Sequence, residues 1–358
     1  MRIGIIVNDL LHEYAGYATT HMAMAAANMG HEVWYIDVAA FALRPDDHTY
    51  AHAHRVPAKH HRSAKAFLKD VWQQAQNEST EIDLHELDVL LPRNDPSLDA
   101  LSRPWARNAA INFSRLAMRG GVLVLNDPDS LELGMTKLYM EFFPRAIRPR
   151  TLVTRDKSEA KDFIAAEGGY AVLKPLSGSG GRNVFLIQPH DTPNINQMLE
   201  AVARDDYFIV QEYLRDAIHG DTRLFMLNGR PLTVKGKVAA LRRHRRTGDA
   251  DMRSNLTAGA SPAQAQVDAA MLAIAEQTGP RLREDGIFLA GLDIVDGKIM
   301  EINVQSPGGL PCAERFEGVP FAAEIIHAIE RKVAWQQAHP DELNNARLAV
   351  WDEGVTDW

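Results

Sequence analysis

The sequence predicts an α/β fold of two or three domains, and three observations carry that expectation. The chain opens on a strand–helix–strand unit. Apolar runs of strand length then alternate with helically periodic segments. Late in the chain, two short strands meet at the turn dipeptide Asp296-Gly297. With 358 residues, 46% hydrophobic and 24% charged, the chain is long enough for more than one core and ordinary in composition.

Residues 3–7 read as a buried strand, 17–29 as a helix closed by Gly30, and 32–38 as a second strand. No G-x-G-x-x-G turn follows the first strand, so the unit is Rossmann-like without a dinucleotide fingerprint, and hydride transfer is excluded. Residues 39–80 hold His52, His54, His60 and His61 among Arg and Lys. A solvated loop or edge hairpin is expected there rather than a metal site. Residues 87–91 form another apolar strand that runs into Pro92-Arg93-Asn94-Asp95-Pro96. Proline on both sides makes this a rigid loop at a strand end, where α/β sheets commonly meet ligands, though a plain turn reads the same. Residues 122–125 close this first part.

A helix is expected over 130–143 with Lys137 inside it, then a linker over 144–149. After it come a strand at 152–153, a helix over 158–167 and the strand 171–175. The Gly-rich stretch Ser177-Gly178-Ser179-Gly180-Gly181 follows, between strands on both sides. Such a loop can wrap phosphate oxygens with backbone N–H groups, as a flap over a nucleotide rather than as a helix-opening P-loop. A helix over 194–204 and a strand over 207–211 lead into Glu212-Tyr213-Leu214. Paired strands over 223–227 and 231–238 turn at Asn228-Gly229. A basic, loop-like stretch covers 242–253, and helices cover 263–282 and 320–332. Residues 336–358 form a polar tail with scattered Trp.

The chemistry concentrates at a few positions. In the late hairpin, Leu292, Ile294, Met300, Ile302 and Val304 can share one apolar face, leaving Glu301 and Asn303 on the other. Asp293 joins them only if the loop has odd parity, as in a three-residue loop ending on left-handed Gly297. Two converging carboxylates repel unless a cation lies between them, and hard oxygen donors favour Mg²⁺. A solvent-facing hairpin would read the same. Lys174, in an apolar strand just before the flap, is either an edge residue or a charge aimed at phosphates. Lys137, Arg223 and Arg253 could add cations to such a site. A strand end at Gln211 to Leu214 offers an adenine the backbone groups and apolar slot it needs. Glu212 could bind a ribose hydroxyl or face solvent, and Asp221 is a second candidate for that role.

In this order, the segments resemble those of the ATP-grasp carboxylate–amine ligases, most closely the bacterial glutathione synthetases. The segments are 88–96, 125–128, 136–138, 151–155, 172–176, 178–181, 211–214, 220–223, 253–256 and 291–303, with Ser306-Pro307 after them. The resemblance implies an ATP-grasp fold over 126–333, with a lid at about 150–214. It also implies a pre-ATP-grasp domain over 1–125 and a tail over 334–358. It assigns Lys137 and Lys174 to nucleotide phosphates, and Ser177, Gly178, Gly180 and Gly181 to the flap. Gln211, Glu212, Tyr213 and Leu214 fall in the adenine linker. Asp293, Glu301 and Asn303 match metal ligands, for Mg²⁺ or Mn²⁺. Arg223, Arg253 and Asn255 match positions that hold phosphate and the acyl substrate; Arg93, Ser306, Gly308 and Gly309 fall toward the dipeptide. The implied activity is ATP-dependent amide formation through an acyl phosphate, joining a γ-glutamyl dipeptide to glycine. The alternatives are the same chemistry on another acid–amine pair, or nucleotide binding without turnover.

The chain departs from that family in its start at Asn8 to Tyr14, in Gly308-Gly309-Leu310 after Ser-Pro, and in the long basic stretch 241–251, read as a solvated loop or an anion-binding lid. A formal net charge of −8 argues against a nucleic-acid binder. No apolar run reaches membrane-spanning length, and the start lacks a signal-peptide layout. The lone Cys312 permits no internal disulfide. These features point to a cytoplasmic protein, and the resemblance implies an enzyme acting on small molecules and suggests a homo-oligomer.

Overall fold

The computed structural model of the chain describes residues 1–76, 79–99, 102–178, 181, 183–203, 206–245, 260–340 and 342–353, without the side chains of 192 and 193. The N-terminal sheet holds β1 (Arg2–Val7), β2 (Glu32–Leu43), β3 (Thr49–Arg55), β4 (Thr80–Asp83), β5 (Val89–Pro92) and β6 (Leu123–Val124), in the order β4-β3-β2-β1-β5-β6. β1 runs parallel to β2 and β5, and β5 parallel to β6. Parallel strands are covered on both faces, which is why β1 is an almost unbroken apolar run. Its alternation sends Ile3, Ile5 and Val7 toward Met22, Ala23 and Ala26 of α1 (Ala18–Asn28). Ile6 faces the other way, into the cluster with Ala110 and Ala117.

The stretch 39–80 is an edge hairpin, since β2, β3 and β4 pair antiparallel. It also contains a helix the sequence reading missed, α2 (Ala64–Ala75), whose N-cap Ser63 accepts from the Ala66 N–H. Beyond β5 come the short α3 (Pro96–Asp99) and then α4 (Ala109–Arg119), which supplies Ala110 and Ala117.

The helix expected over 130–143 breaks in two. α5 (Pro128–Leu133) ends at Gly134, and a 3₁₀ turn covers Lys137–Phe142. Between them Gly134 and Met135 turn and Thr136 is extended: Thr136 forms a bridge with Ser177, and the Lys137 N–H donates to the Leu176 carbonyl at 3.0 Å. A small antiparallel sheet follows: β7 (Thr151–Thr154), β8 (Ala171–Pro175), β9 (Phe185–Ile187) and β10 (Phe208–Glu212), in the order β7-β10-β8-β9. Its helices are α6 (Lys157–Ala166) and α7 (Ile195–Ala203). They pack Ala160, Ile164, Leu199 and Val202 on Leu173, Phe208 and Val210.

The last sheet is built on β11 (Asp221–Leu227), which pairs with β12 (Arg230–Pro231) across Asn228-Gly229. The strand expected over 231–238 is instead a separate small hairpin, β13 (Thr233–Val234) and β14 (Lys237–Val238), because Lys235 and Gly236 both turn at positive φ. β15 (Ala240–His244) then occupies the start of the expected basic loop. β16 (Ser261–Gln264) replaces the expected helix start at 263. The helix itself, α8 (Ala269–Glu284), begins only after Asp268, whose side chain caps Met271. β17 (Leu289–Val295) and β18 (Lys298–Asn303) complete the sheet, in the order β16-β15-β11-β17-β18.

α9 (Leu310–Glu317), α10 (Phe321–Ala338) and α11 (Asn345–Val350) end the described chain. The expected tail is therefore structured as far as residue 353. The Asn345 side chain binds both backbone groups of Val124, at 2.8 and 3.0 Å, and caps the edge of β6. Asn126 ties the first sheet to the last through the Leu289 and Val304 carbonyls and the Leu289 N–H.

Candidate active site

A cleft opens where β18, the 3₁₀ turn at Lys137 and the small sheet meet. Lys137, Lys174, Gly178, Gln211, Glu301, Asn303 and Ser306 line it, together with Asp95 of the proline-flanked loop and the unforeseen Gln305.

The late hairpin places three of these groups, by a different device from the one expected. The turn has two residues, with Val295 paired to Lys298, and Asp296 and Gly297 both lie at positive φ, 51° and 71°. That loop alone would set Met300 opposite Asp293. A bulge changes the parity: Ile294 pairs with Ile299, and Asp293 with Glu301, leaving Met300 as the extra residue. Ile299, fully buried, takes the apolar position expected of Met300, which instead lines the cleft. Asp293, Glu301 and Asn303 thus share one face.

Asp293 is the most constrained of the three. Arg223 grips it with two bonds, Nε to Oδ1 at 2.7 Å and Nη2 to Oδ2 at 2.8 Å, and Arg243 adds a third at 2.8 Å. Burial alone would raise its carboxyl, but the two guanidinium groups outweigh it and hold it at about 2. Asn303 Nδ2 donates to Asp293 Oδ2 at 3.2 Å, so its amide offers Oδ1 to a cation. Glu301 faces Lys137 Nζ at 3.4 Å. These hard oxygen donors fit a divalent cation of the Mg²⁺ type. At Asp293 such an ion would add to, or compete with, two guanidinium groups already present.

Lys137 also donates to the Gly178 carbonyl at 2.6 Å, which joins the Gly-rich stretch to the face that carries Glu301. Lys174 is buried in β8, donates to Gln211 Oε1 at 2.8 Å, and is pushed down to about 8 by burial, with the Lys137 charge adding to the shift. Gln211 is oriented in turn by the Thr151 hydroxyl at 2.9 Å. Ser177 reaches Asp206 at 3.5 Å, and Gly181 is described in a turn; Gly180, Arg253 and Asn255 lie outside the described residues.

One nucleotide assignment changes. Asp221 is fully buried and accepts from Arg243 Nε at 2.6 Å, so it is a core ion pair rather than a ribose ligand. Glu212 does not face solvent freely: Lys298 at 2.9 Å and Arg150 hold its carboxylate. Tyr213, half-buried, and Leu214, buried, follow it out of β10. Arg243, the second guanidinium on Asp293, was missed by the sequence reading, which placed it in a basic loop. It lies on the face of β15 shared with the buried Leu241 two residues earlier, and that spacing was the available signal.

On the substrate side, Arg93 is buried. Its Nη1 donates to the Gln305 carbonyl at 3.2 Å, its Nε reaches the Thr19 hydroxyl at 3.5 Å, and its Nη2 has no hydrogen-bond partner among the described residues. Burial lowers it to about 10. The Gly308 carbonyl accepts from Arg223 Nη1 at 3.2 Å, and Gly309, at φ 96°, opens α9.

The model of the prokaryotic glutathione synthetase N-terminal domain matches residues 1–132, and that of the same family's ATP-grasp domain matches residues 136–318. The chain belongs to the prokaryotic glutathione synthetase family. Relatives named glutathione synthetase include one from Rhodopseudomonas palustris, 31% identical over 89% of this chain and 94% of the relative. Another, from Brucella melitensis, is 34% identical over 70% of this chain and 75% of its own length. Among solved structures, the fold is similar to that of D-cycloserine synthetase DcsG, with a TM-score of 0.63 at 16% identity over 92% of this chain and 99% of that one. The ATP-grasp ligase PsnB complexed with minimal precursor is similar too, with a TM-score of 0.55 at 17% identity over 92% and 98%. As a member of the glutathione synthetase family, the chain is an ATP-dependent ligase of ATP-grasp fold. No helix of the described residues is long and apolar enough to cross a membrane.

Proposed function

We propose that this protein is a glutathione synthase of the cytoplasm, joining γ-glutamylcysteine to glycine at the expense of ATP with Mg²⁺ as the working ion. The observation that carries the reading is the single cleft in which Lys137, Lys174, Glu301 and Asn303 converge beside Gly178 of the flap. Two cations suit phosphoryl oxygens, and the carboxylate and amide suit a hard divalent ion, which when bound would offset charge on those oxygens.

Under this reading the dipeptide carboxylate attacks the γ-phosphorus of ATP and ADP leaves, forming an acyl phosphate. The glycine amine then attacks the acyl carbon, and phosphate leaves. Neither step needs a protein nucleophile. The chain's work is positioning and charge stabilisation. Lys137 and Lys174 hold phosphates, while Arg223 is kept rigid by Asp293 and Gly308. The unpartnered Nη2 of Arg93 supports an anionic substrate group on the Gln305–Ser306 side, because a buried guanidinium nitrogen favours an acceptor. Ser177 to Gly181 act as the flap that keeps water from the acyl phosphate. Arg253 and Asn255 hold the acyl substrate, and the enzyme works as a homo-oligomer.

The test is phosphate release from ATP and Mg²⁺ with γ-glutamylcysteine, with and without glycine, and mass spectrometry of the product. Glycine-dependent release with formation of the tripeptide supports the reading. ATP binding with no glycine-dependent product overturns the substrate assignment.

A further inference from the structure

His52, His54, His60 and His61, singled out in the sequence, are not part of the three-residue cluster of metal-ligand types found among the described residues. His52 and His54 are on β3, and His61 is buried beside Asp70 at 2.9 Å. A different set does gather, at the edge of the N-terminal sheet and away from the cleft. His48 ends the β2–β3 turn, Asp83 ends β4, and His85 lies two residues beyond. One ligand atom from each falls within 4.8 Å of the others. His48 Nδ1 is 2.5 Å from Asp83 Oδ2, His85 Nδ1 is 3.8 Å from Asp83 Oδ1, and the two imidazole centroids are 4.8 Å apart.

The cluster is fixed by local backbone bonds and by one close approach. Asp83 Oδ1 accepts from the His85 backbone N–H at 2.9 Å, which turns the carboxylate toward both rings. Asp46 accepts from the His48 backbone N–H at 3.0 Å, and the His48 carbonyl accepts from Arg44 at 3.1 Å. The His85 ring rests on Gly120 at the end of α4, where a Cβ would fall 2.4 Å from its Nε2. No other residue type fits there with the ring in place. Half of His48 is exposed, which leaves a side of the cluster open to water.

We propose that His48, Asp83 and His85 bind a divalent transition-metal ion of the zinc class, with water completing the coordination. Two imidazoles and one carboxylate suit Zn²⁺, Co²⁺ or Ni²⁺ and are poor donors for Mg²⁺. The bound ion would clip the β2–β3 turn to the edge strand β4. It would add stability without entering the ligase chemistry, and its existence does not depend on which acid and amine the enzyme joins.

The experiment titrates the full-length, chelator-stripped protein with Co²⁺ under saturating Mg²⁺, reading the visible d–d absorption. Zn²⁺-dependent thermal unfolding runs alongside. The expected result is one cobalt ion per chain, displaced by Zn²⁺, and a rise in Tm with Zn²⁺. His48→Ala and, separately, His85→Gln should weaken Co²⁺ binding by about 100-fold or more, since even groups behind a ligand are worth 10–100-fold. Both variants should keep the far-UV spectrum and ATP turnover of the parent. Glu301→Gln should leave the cobalt signal in place. Absence of stoichiometric binding, binding that survives both histidine changes, or a signal lost in Glu301→Gln would each overturn the site.

Discussion

At Lys174, burial works against the charge that phosphate binding needs, and the two effects of pH have opposite signs. The ammonium is lowered from 10.5 to about 8, so the folded chain releases its proton first. Between those values the unfolded chain binds more protons, and this group's contribution to folding stability rises with pH. Activity should go the other way: kcat/KM for ATP should fall above an apparent pKa of about 8, close to tenfold per further pH unit. Lys174→Arg should remove that alkaline limb, and a limb unchanged in the variant would refute the assignment. Lys174→Ala and Glu301→Ala should each abolish ATP turnover while circular dichroism stays native; turnover retained in either would remove that residue from the site. Arg243 belongs to the same scale. Arg243→Ala leaves Asp221 without this partner and Asp293 with Arg223 as its one remaining guanidinium among those described. It should cost about 3–5 kcal/mol by urea denaturation, because the loss strands buried charge. A cost below about 1 kcal/mol would mean that the pair relaxes into water.

Individual elements are set by local backbone demands. Gly220 precedes β11 at φ 96°, and a Cβ there would lie 1.8 Å from the Arg243 carbonyl. A methyl group must therefore push β15 away from β11 and draw Arg243 off both carboxylates. Gly220→Ala should cost at least about 2 kcal/mol, from the strained φ and the steric clash together, and should raise KM for ATP. Wild-type stability and KM in that variant would show that the strand shifts without consequence. The hairpin turn at Asp296-Gly297 was legible in the sequence because few residue pairs accept two left-handed positions. The shared face of Asp293, Glu301 and Asn303 was legible as well. The bulge at Met300 that produces it was not, since odd parity can come from loop length or from an inserted residue, and only the strand pairing distinguishes them.

Across the whole molecule, the C-terminal segment closes the first sheet. Leu348, Ala349 and Val350 are buried, and Lys332 donates from the interior to the Trp351 carbonyl. Burial brings the Lys332 ammonium down to about 7. Deleting residues 344–358 should uncover the β6 edge and these apolar side chains, lowering stability by at least about 3 kcal/mol in urea and favouring association of chains. An unchanged denaturation midpoint would show that the segment packs without stabilising. The sequence reading called this segment a polar tail because its helix is only six residues long, too short for periodicity to register.

The sequence by itself determined the α/β class, the first strand–helix–strand unit, and the family through the order of its motifs. Each of these rests on local periodicity, turn chemistry or linear order, which survive without a partner. Tertiary structure decided the rest. It showed that Asp221 and Arg243 form a buried pair, that Lys137 opens a 3₁₀ turn beside the flap, and that His48 meets Asp83 and His85 across 35 residues or more of chain. Those outcomes depend on which strands lie side by side, and pairing between distant segments follows from the packing of the whole chain rather than from any window of it.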